Sequence, residues 1–382
     1  MQIRFLDGLH HLSPARWNTL CPPAYPFVRH QFLATLETSN SLGSAQGWQP
    51  QHLIVEEHGE LIAAMPLYLK SHSYGEYVFD WAWADAYKRY GLAYYPKLIS
   101  AIPFTPCSGP RVLIADPDRH TELLPLLVQA VKNRAIELQA SGWHCLFPSE
   151  ELSAQLMDTN TVQRIGCQFH WFNRNYQCWD DFVATMTSRK RKNINKERRS
   201  VYEQGIRFTV KEGQAIGSED WTLFYTLYCN TYLKRSGHKG YLTAQFFTQL
   251  SERCADLLVM INAQHNGETI AAALYFKDST TLYGRYWGCL EEYNFLHFET
   301  CYYQGIDYAI NKGLQRFDGG AQGEHKIQRG FEPIITYSNH WLIRNEFQQA
   351  IGDFVMQEAL SIRAYQQDAI LGLPFKESYF VD

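Results

Sequence analysis

The chain repeats itself. HLIVEEHGELIAAMPLYLKSHSYGEYVFDWAW (52–83) and LLVMINAQHNGETIAAALYFKDSTTLYGRYWGC (257–289) carry the same pieces in the same order. Gly59-Glu60 matches Gly267-Glu268, and Ile62-Ala63-Ala64 matches Ile270-Ala271-Ala272, both at an offset of 208 residues. After a one-residue slip, Tyr74-Gly75-x-Tyr77 matches Tyr283-Gly284-x-Tyr286; the offset returns to 208 at Tyr94-Tyr95 and Tyr302-Tyr303. Each copy reads as an apolar strand, a tight turn, a strand with small residues, another turn and an aromatic-rich third strand. His58-Gly59 and Asn266-Gly267 supply the first turns, Asn-Gly being the stronger hairpin signal. Matching order in strands, turns and small residues predicts one supersecondary unit used twice. The expected fold class is α/β with mixed sheets, in two tandem units packed side by side.

A helix is expected after each third strand. FLHFETCYYQGIDYAINKG (295–313) has apolar residues at helical spacing and ends in Gly313, a C-terminal cap residue. LQRFD then reads as a strand. Between the copies, 121–142 reads as an amphipathic helix, 143–147 as a strand and 150–165 as a helix. These divisions place a first unit at 1–166 and a second at 167–382, the second carrying a basic helix at 188–205 and a closing helix at 346–371. No low-complexity linker separates them.

Composition narrows the function. With 46% hydrophobic and 19% charged residues in 382, the chain can bury a large core. A net charge of -4 disfavours a globally basic nucleic-acid binder but leaves room for a local basic patch. Nine scattered cysteines without a Cys-x-x-Cys pair fit reduced thiols in the cytoplasm better than disulfides or zinc. His10-His11 reads as having no helical i,i+4 partner, so no metal is expected. The N-terminus lacks the pattern of a secretory signal, and no run of about 18–20 apolar residues is present to span a membrane.

Two segments concentrate polar chemistry. SRKRKNINKERRSVYEQG (188–205) holds seven basic residues in the eleven positions from Arg189 to Arg199, with Glu197 the one acid among them. It reads either as a solvated helix face or as an anion site for phosphates of a coenzyme or RNA. FDGGAQGEHKIQRGFEP (317–333) interleaves Gly319, Gly320, Gly323 and Gly330 with Asp318, Glu324, His325, Lys326 and Arg329. Glycines allow close ligand approach, and a loop at a strand end is a common site location. His325 or Glu324 can take a proton from an attacking amine, and Lys326 and Arg329 can hold a carboxylate or phosphate. The spacings fit neither a Walker loop nor GxGxxG. The first copy has no such loop: the stretch around 143–150 reads HCLFPSEE.

SRKRKNINKERRSV, FDGGAQGEHKIQRGFEP, the following His340-Trp341 and the early TPCSGPRVL (105–113) together resemble the FemAB-like proteins of peptidoglycan biosynthesis or recognition, within the GNAT superfamily. The resemblance covers nearly the whole chain. It implies two GNAT-like units and transfer of an acyl or aminoacyl group to a small-molecule or peptide amine, without a tightly bound cofactor. FemAB relatives use aminoacyl-tRNA as donor and other GNAT members acyl-CoA. The usual GNAT pyrophosphate signature is absent; its place reads WGCLEEYNFLHF, which leaves the donor open. On this reading Glu324, His325 and Lys326 stand near the chemistry. Lys190, Arg191, Lys192 and Arg198 bind donor phosphates. Arg285, Tyr286 and Trp287 line the substrate channel with Asp318, Gly319, Gly320 and Arg329, and third-strand amides stabilise the oxyanion. The alternative is a non-catalytic module that binds a cell-wall precursor or RNA.

Overall fold

The repeated sequence folds as a repeated hairpin. The computed structural model describes residues 1–23, 25–321 and 323–380. One hairpin joins His52–Glu57 to Glu60–Met65, the other Leu258–His265 to Glu268–Lys277. Ile54 faces Ala64 as Asn262 faces Ala272, and Val55 faces Ala63 as Ala263 faces Ala271. The register then slips at Val55/Glu56 in one and at Ala263/Gln264 in the other, 208 residues on in both strands. The turns have positive φ at both central residues, 52° and 85° at His58-Gly59 and 52° and 86° at Asn266-Gly267. That is the primed turn whose twist matches two antiparallel strands. An outer strand completes each set: Gln2–Leu6 pairs with the first hairpin and Arg207–Glu212 with the second.

The copies part at the third strand. In the second, Thr281–Cys289 pairs with the alanine strand, Ala271 facing Cys289 and Ala272 facing Gly288. In the first, Ala63 and Ala64 face Ile114 and Leu113. The aromatic third strand expected at 74–83 is therefore absent, and Trp81–Arg89 is a helix. Tyr94-Tyr95 likewise precede the strand Lys97–Ser100 rather than lying in a helix as Tyr302-Tyr303 do. The cause is polar. Ser73, Glu76 and Asp80 turn inward onto the ammonium of Lys97, which no alternating strand could present to one point. The stretch from Met65 to Leu113 is thus an insertion, where the second copy has only a tight turn between Lys277 and Thr281.

The chain divides into two compact units, Met1–Gly166 with Ile335–Ala364, and Cys167–Ile334 with the residues from Tyr365 onward. The segment 335–364, expected in the second unit, gathers with the first. Its strand pairs Ser338–Leu342 against Gly142–Leu146, and Ile351 and Val355 pack on Trp83 and Tyr87. In the first unit the helix His120–Glu137 lays Leu123, Leu127 and Val131 over Leu53, Val55 and Ala63. The helix Glu150–Met157 stops short of the expected 165 because the chain is extended from Val162.

In the second unit the strand order is Arg207–Glu212, Leu258–His265, Glu268–Lys277, Thr281–Cys289, Arg316–Asp318 and the end of Val162–Phe172. Thr281–Cys289 and Arg316–Asp318 are parallel, joined by the helical run from Leu296 to Asn311. The core beneath is aromatic: Trp171, Phe182, Tyr275, Tyr303, Phe317 and Phe331. Opposite it, Gly288 touches the helix Ser218–Ser236 so closely that a Cβ would lie 2.3 Å from the Leu227 carbonyl. Backbone cannot yield there, so Gly288→Ala is expected to lower stability by about 1–3 kcal/mol in urea unfolding. The closing helix runs Asn345–Leu371. Among the described residues, no helix is long and apolar enough to cross a membrane.

Candidate active site

The parallel pairing in the second unit is short. It runs from Thr281/Arg316 to Tyr283/Asp318 and stops. Thr281–Cys289 goes on to Cys289, while the chain after Asp318 leaves through Gly319-Gly320. On the opposite edge of the same strand the register shifts, with Leu274 facing Tyr286 and Tyr275 facing Gly284, so Arg285 is an extra residue. A bulge bends a strand and re-aims its groups, as strands beside active sites often do. Residues 284–289 thus run on past the last pair with Arg316–Asp318.

The polar loop folds beside this edge as a short 3-10 helix, Glu324–Arg329; Gln322 lies outside the described residues. Its residues part company. Glu324 is exposed and accepts from the Tyr365 hydroxyl at 2.8 Å. His325 turns into an aromatic box of His297, Phe298 and Tyr302, its Nε2 2.9 Å from the Tyr302 hydroxyl. Burial, then Arg329, Lys326 and Arg235, push its imidazole down to about 4. Burial pushes neighbouring His297 down to about 3. Both rings are therefore neutral at pH 7. Lys326 is buried and donates to the Gly320 carbonyl at 2.6 Å; burial lowers its ammonium to about 8. Asp318 is buried, accepts from Gly320 N at 2.9 Å and faces His170 across the sheet.

A cavity of about 420 Å³ opens beside the box, between the end of the bulged strand and the start of the helical run at Leu296. Trp287, Cys289, His297 and Phe298 give it apolar and aromatic walls, Lys234 and Arg235 its cations, Glu291 and Glu292 its acids. The helical run contains a π turn, Glu299–Tyr303, in which Tyr302 and Tyr303 are both buried.

The basic helix spans Ser188–Glu203 and has two faces. Ile194, Arg198 and Val201 share the inward side. Arg198 lies over Trp179 and pairs with buried Glu299 at 2.9 Å and with Asp307 at 2.6 Å. Burial alone would lower its guanidinium, but these two carboxylates hold it above its ordinary value. Glu197 joins Tyr303 to Arg329, and Lys190 reaches Gln328 of the loop. Arg189, Lys192, Lys196 and Arg199 are all exposed, at i, i+3, i+7 and i+10 on one outward stripe about 15 Å long.

The structure thus brings together His325, Lys326, Trp287, Gly320 and Arg329, and separates others expected beside them. Arg198 is a structural cation, already committed to two carboxylates. Arg329 is buried against Phe298 and bonded to Glu197 and the His325 carbonyl. Tyr286 packs into the aromatic contacts of Tyr228 and Phe247 instead of lining the cavity, while Arg285 sits in the bulge 5.4 Å from its ring. Lys190 and Arg191 are half-buried, and only Lys192 of the four expected phosphate ligands stands on the open stripe. Lys234, Arg235, His297 and Tyr302 escaped sequence reasoning. The aromatic-histidine run FLHF at a helix start was a signal for His297.

A family model described as peptidoglycan biosynthesis/recognition, FemAB-like, matches residues 8–377. A search of curated proteins returns no significant match. Among solved structures, FemX aligns with a TM-score of 0.55 at 11% identity, over 92% of this chain and 100% of that one. The C-terminal domain of a putative lysylphosphatidylglycerol synthetase from Agrobacterium fabrum aligns at 0.53 and 10% identity, over 88% and 94% of the two chains. L-PGS from Bacillus licheniformis aligns at 0.50 and 11%, over 84% and 95%. At these identities the likeness is one of fold, and it agrees with the mixed α/β arrangement read from the sequence.

Proposed function

The chain belongs to the FemAB-like family of peptidoglycan biosynthesis and recognition, and from that premise we propose that it transfers an acyl or aminoacyl group to an amine acceptor. The observation that carries this reading is the imidazole of His325 held in the box of His297, Phe298 and Tyr302, beside a cavity that Trp287, His297 and Phe298 line. The amine nitrogen bonds to the carbonyl carbon, and the C–O bond of an ester donor or the C–S bond of a thioester breaks. His325 Nε2 is 2.9 Å from the Tyr302 hydroxyl; in the tautomer with the proton on Nε2, Nδ1 takes the amine proton and passes it to the leaving group. Glu324, bonded to Tyr365 at the surface, stands outside this step. Lys326 keeps Gly320, and with it the loop, in place; Trp287 walls the substrate cavity.

Lys234, Arg235 and the N-terminal end of the 296–311 helical run would receive a donor phosphate. The outward stripe of Arg189, Lys192, Lys196 and Arg199 suits a donor with an extended polyanionic backbone, so aminoacyl-tRNA is the first reading. Acyl-CoA is the second, favoured by the compact cavity at the helix start. The test is transfer from purified aminoacyl-tRNA and from acyl-CoA to amine-bearing cell-wall peptides, read by mass spectrometry. Lys192→Glu with Lys196→Glu is expected to weaken the RNA donor about tenfold or more at low salt and to flatten its salt dependence. Activity with acyl-CoA is expected to be unchanged. Binding of RNA without any acyl product would establish the non-catalytic module instead.

A further inference from the structure

The first unit carries a second cluster of chemistry, at its N-terminal turn and independent of the transfer reaction. The strand Gln2–Leu6 ends at Asp7, and the chain enters the 3-10 helix Leu9–His11. Asp7 lies just before the turn and His10 and His11 in it; the backbone at Gly8 (φ 168°, ψ 161°) is extended, and the side chains of all three come together. The carboxylate at i−4 is the partner that the His10-His11 pair lacked in the sequence reading. His11 Nε2 is 2.6 Å from Asp7 Oδ1, and the two imidazole centroids are 3.9 Å apart. One ligand atom from each of the three lies within 4.8 Å of the others, and all three residues are exposed.

The turn is held rigid from below. Leu9 is fully buried. Its N–H donates to Glu37 Oε2 at 2.8 Å, and Glu37 Oε1 is 2.7 Å from His52 Nε2. His30 Nε2 lies 3.1 Å from the Leu9 carbonyl and 3.0 Å from that of Leu12. Residue 8 is glycine, and a Cβ there would sit 2.6 Å from His10 Nδ1, in the space the ring occupies. A fixed backbone therefore presents three donors outward, and small side-chain rotations suffice to close them on an ion.

We propose that Asp7, His10 and His11 bind a divalent transition-metal ion of the zinc class. Two imidazole nitrogens and one carboxylate oxygen suit zinc or nickel, whereas magnesium and calcium prefer oxygen-only sites. Three protein ligands leave the remaining position to water. The ion would tie the first strand to the turn and stabilise the N-terminal edge of the first unit.

The test is a competition titration of the untagged, metal-free full chain with Zn²⁺ against a chromophoric chelator, with Mg²⁺ in parallel. The expected result is one Zn²⁺ per chain, no competition by Mg²⁺, and binding at least tenfold weaker in His10→Ala, His11→Ala and Asp7→Asn. Because these side chains are exposed, the variants are expected to keep the metal-free thermal midpoint of the parent, while Zn²⁺ raises the midpoint of the parent alone. Zn²⁺ binding by a His10→Ala, His11→Ala double variant equal to that of the parent would overturn the proposal.

Discussion

His325→Ala is expected to slow transfer about a hundredfold while the protein remains folded. General-base groups contribute about 10²–10⁴ in rate. The low end applies here because an imidazole held near 4 is a weak base at neutral pH. The same value fixes the pH signature. A ring with an ordinary pKa of 6.5 would lose its lone pair on acidification through pH 6.5; this one stays neutral until about pH 4. The acid limb due to His325 is therefore expected near pH 4, and it should vanish in His325→Ala. Tyr302→Phe removes the hydroxyl bonded to Nε2, so a smaller loss in kcat with little change in KM is expected. Glu324→Gln should leave the rate nearly intact, since that carboxylate is bonded to Tyr365 at the surface. Full activity in His325→Ala at pH 7 would move the base elsewhere.

That the loop was readable while its neighbours were not has a physical cause. Glycines and ionisable groups crowded into FDGGAQGEHKIQRGFEP mark a place where the backbone does something a strand or helix cannot. His297 and Tyr302 sit in a helix whose pattern is satisfied by its apolar face, so nothing local sets them apart. They join the box because the loop returns to them in space, His325 meeting the ring of Tyr302 beside the π turn. Arg198 shows the reverse error. In sequence it is one more cation in a basic run. In the fold it lies on the Ile194 and Val201 side of its helix, where Glu299 and Asp307 neutralise it.

The repeat was legible for the same local reason and misled for a tertiary one. Turn residues and small residues fixed the hairpin, bulge included. The aromatic matches beyond it were composition, since any Tyr-Gly-x-Tyr scores alike whichever partner it finds. The deeper likeness was invisible because it pairs strands far apart in the chain. Trp143 faces Trp341 in the first unit as Phe317 faces Trp171 in the second. The next pair in line is His144 with His340 in one and Asp318 with His170 in the other. Each unit thus keeps a buried polar pair at the same place in its sheet, and burial holds His144 at about 3 and His170 at about 4.

The insertion that broke the repeat supplies the largest expected effect on stability. Lys97 is fully buried, 2.7 Å from Glu76 and in contact with Asp80, which also accepts from Tyr94 at 2.6 Å. Burial would raise Asp80, but Lys97 and His144 hold it down to about 2, whereas burial leaves Glu76 up at about 7. The working ion pair at neutral pH is therefore Lys97 with Asp80, and Glu76 serves mainly as a hydrogen-bond partner. Lys97→Met strands a buried carboxylate without its cation. Breaking one half of a buried pair costs about 3–5 kcal/mol, so a loss of that size is expected in urea unfolding at pH 7. The sign with pH follows. Without Lys97 the folded-state pKa of Asp80 rises above its unfolded value, so the penalty grows as pH rises and shrinks on acidification, when the carboxylate takes a proton. Lys97→Met combined with Asp80→Asn and Glu76→Gln removes the charges of all three groups, leaving Lys70 as the neighbouring cation, and is expected to recover most of the loss. A Lys97→Met penalty that is equally large at pH 5 and at pH 8 would instead assign the loss to packing of the lysine stem.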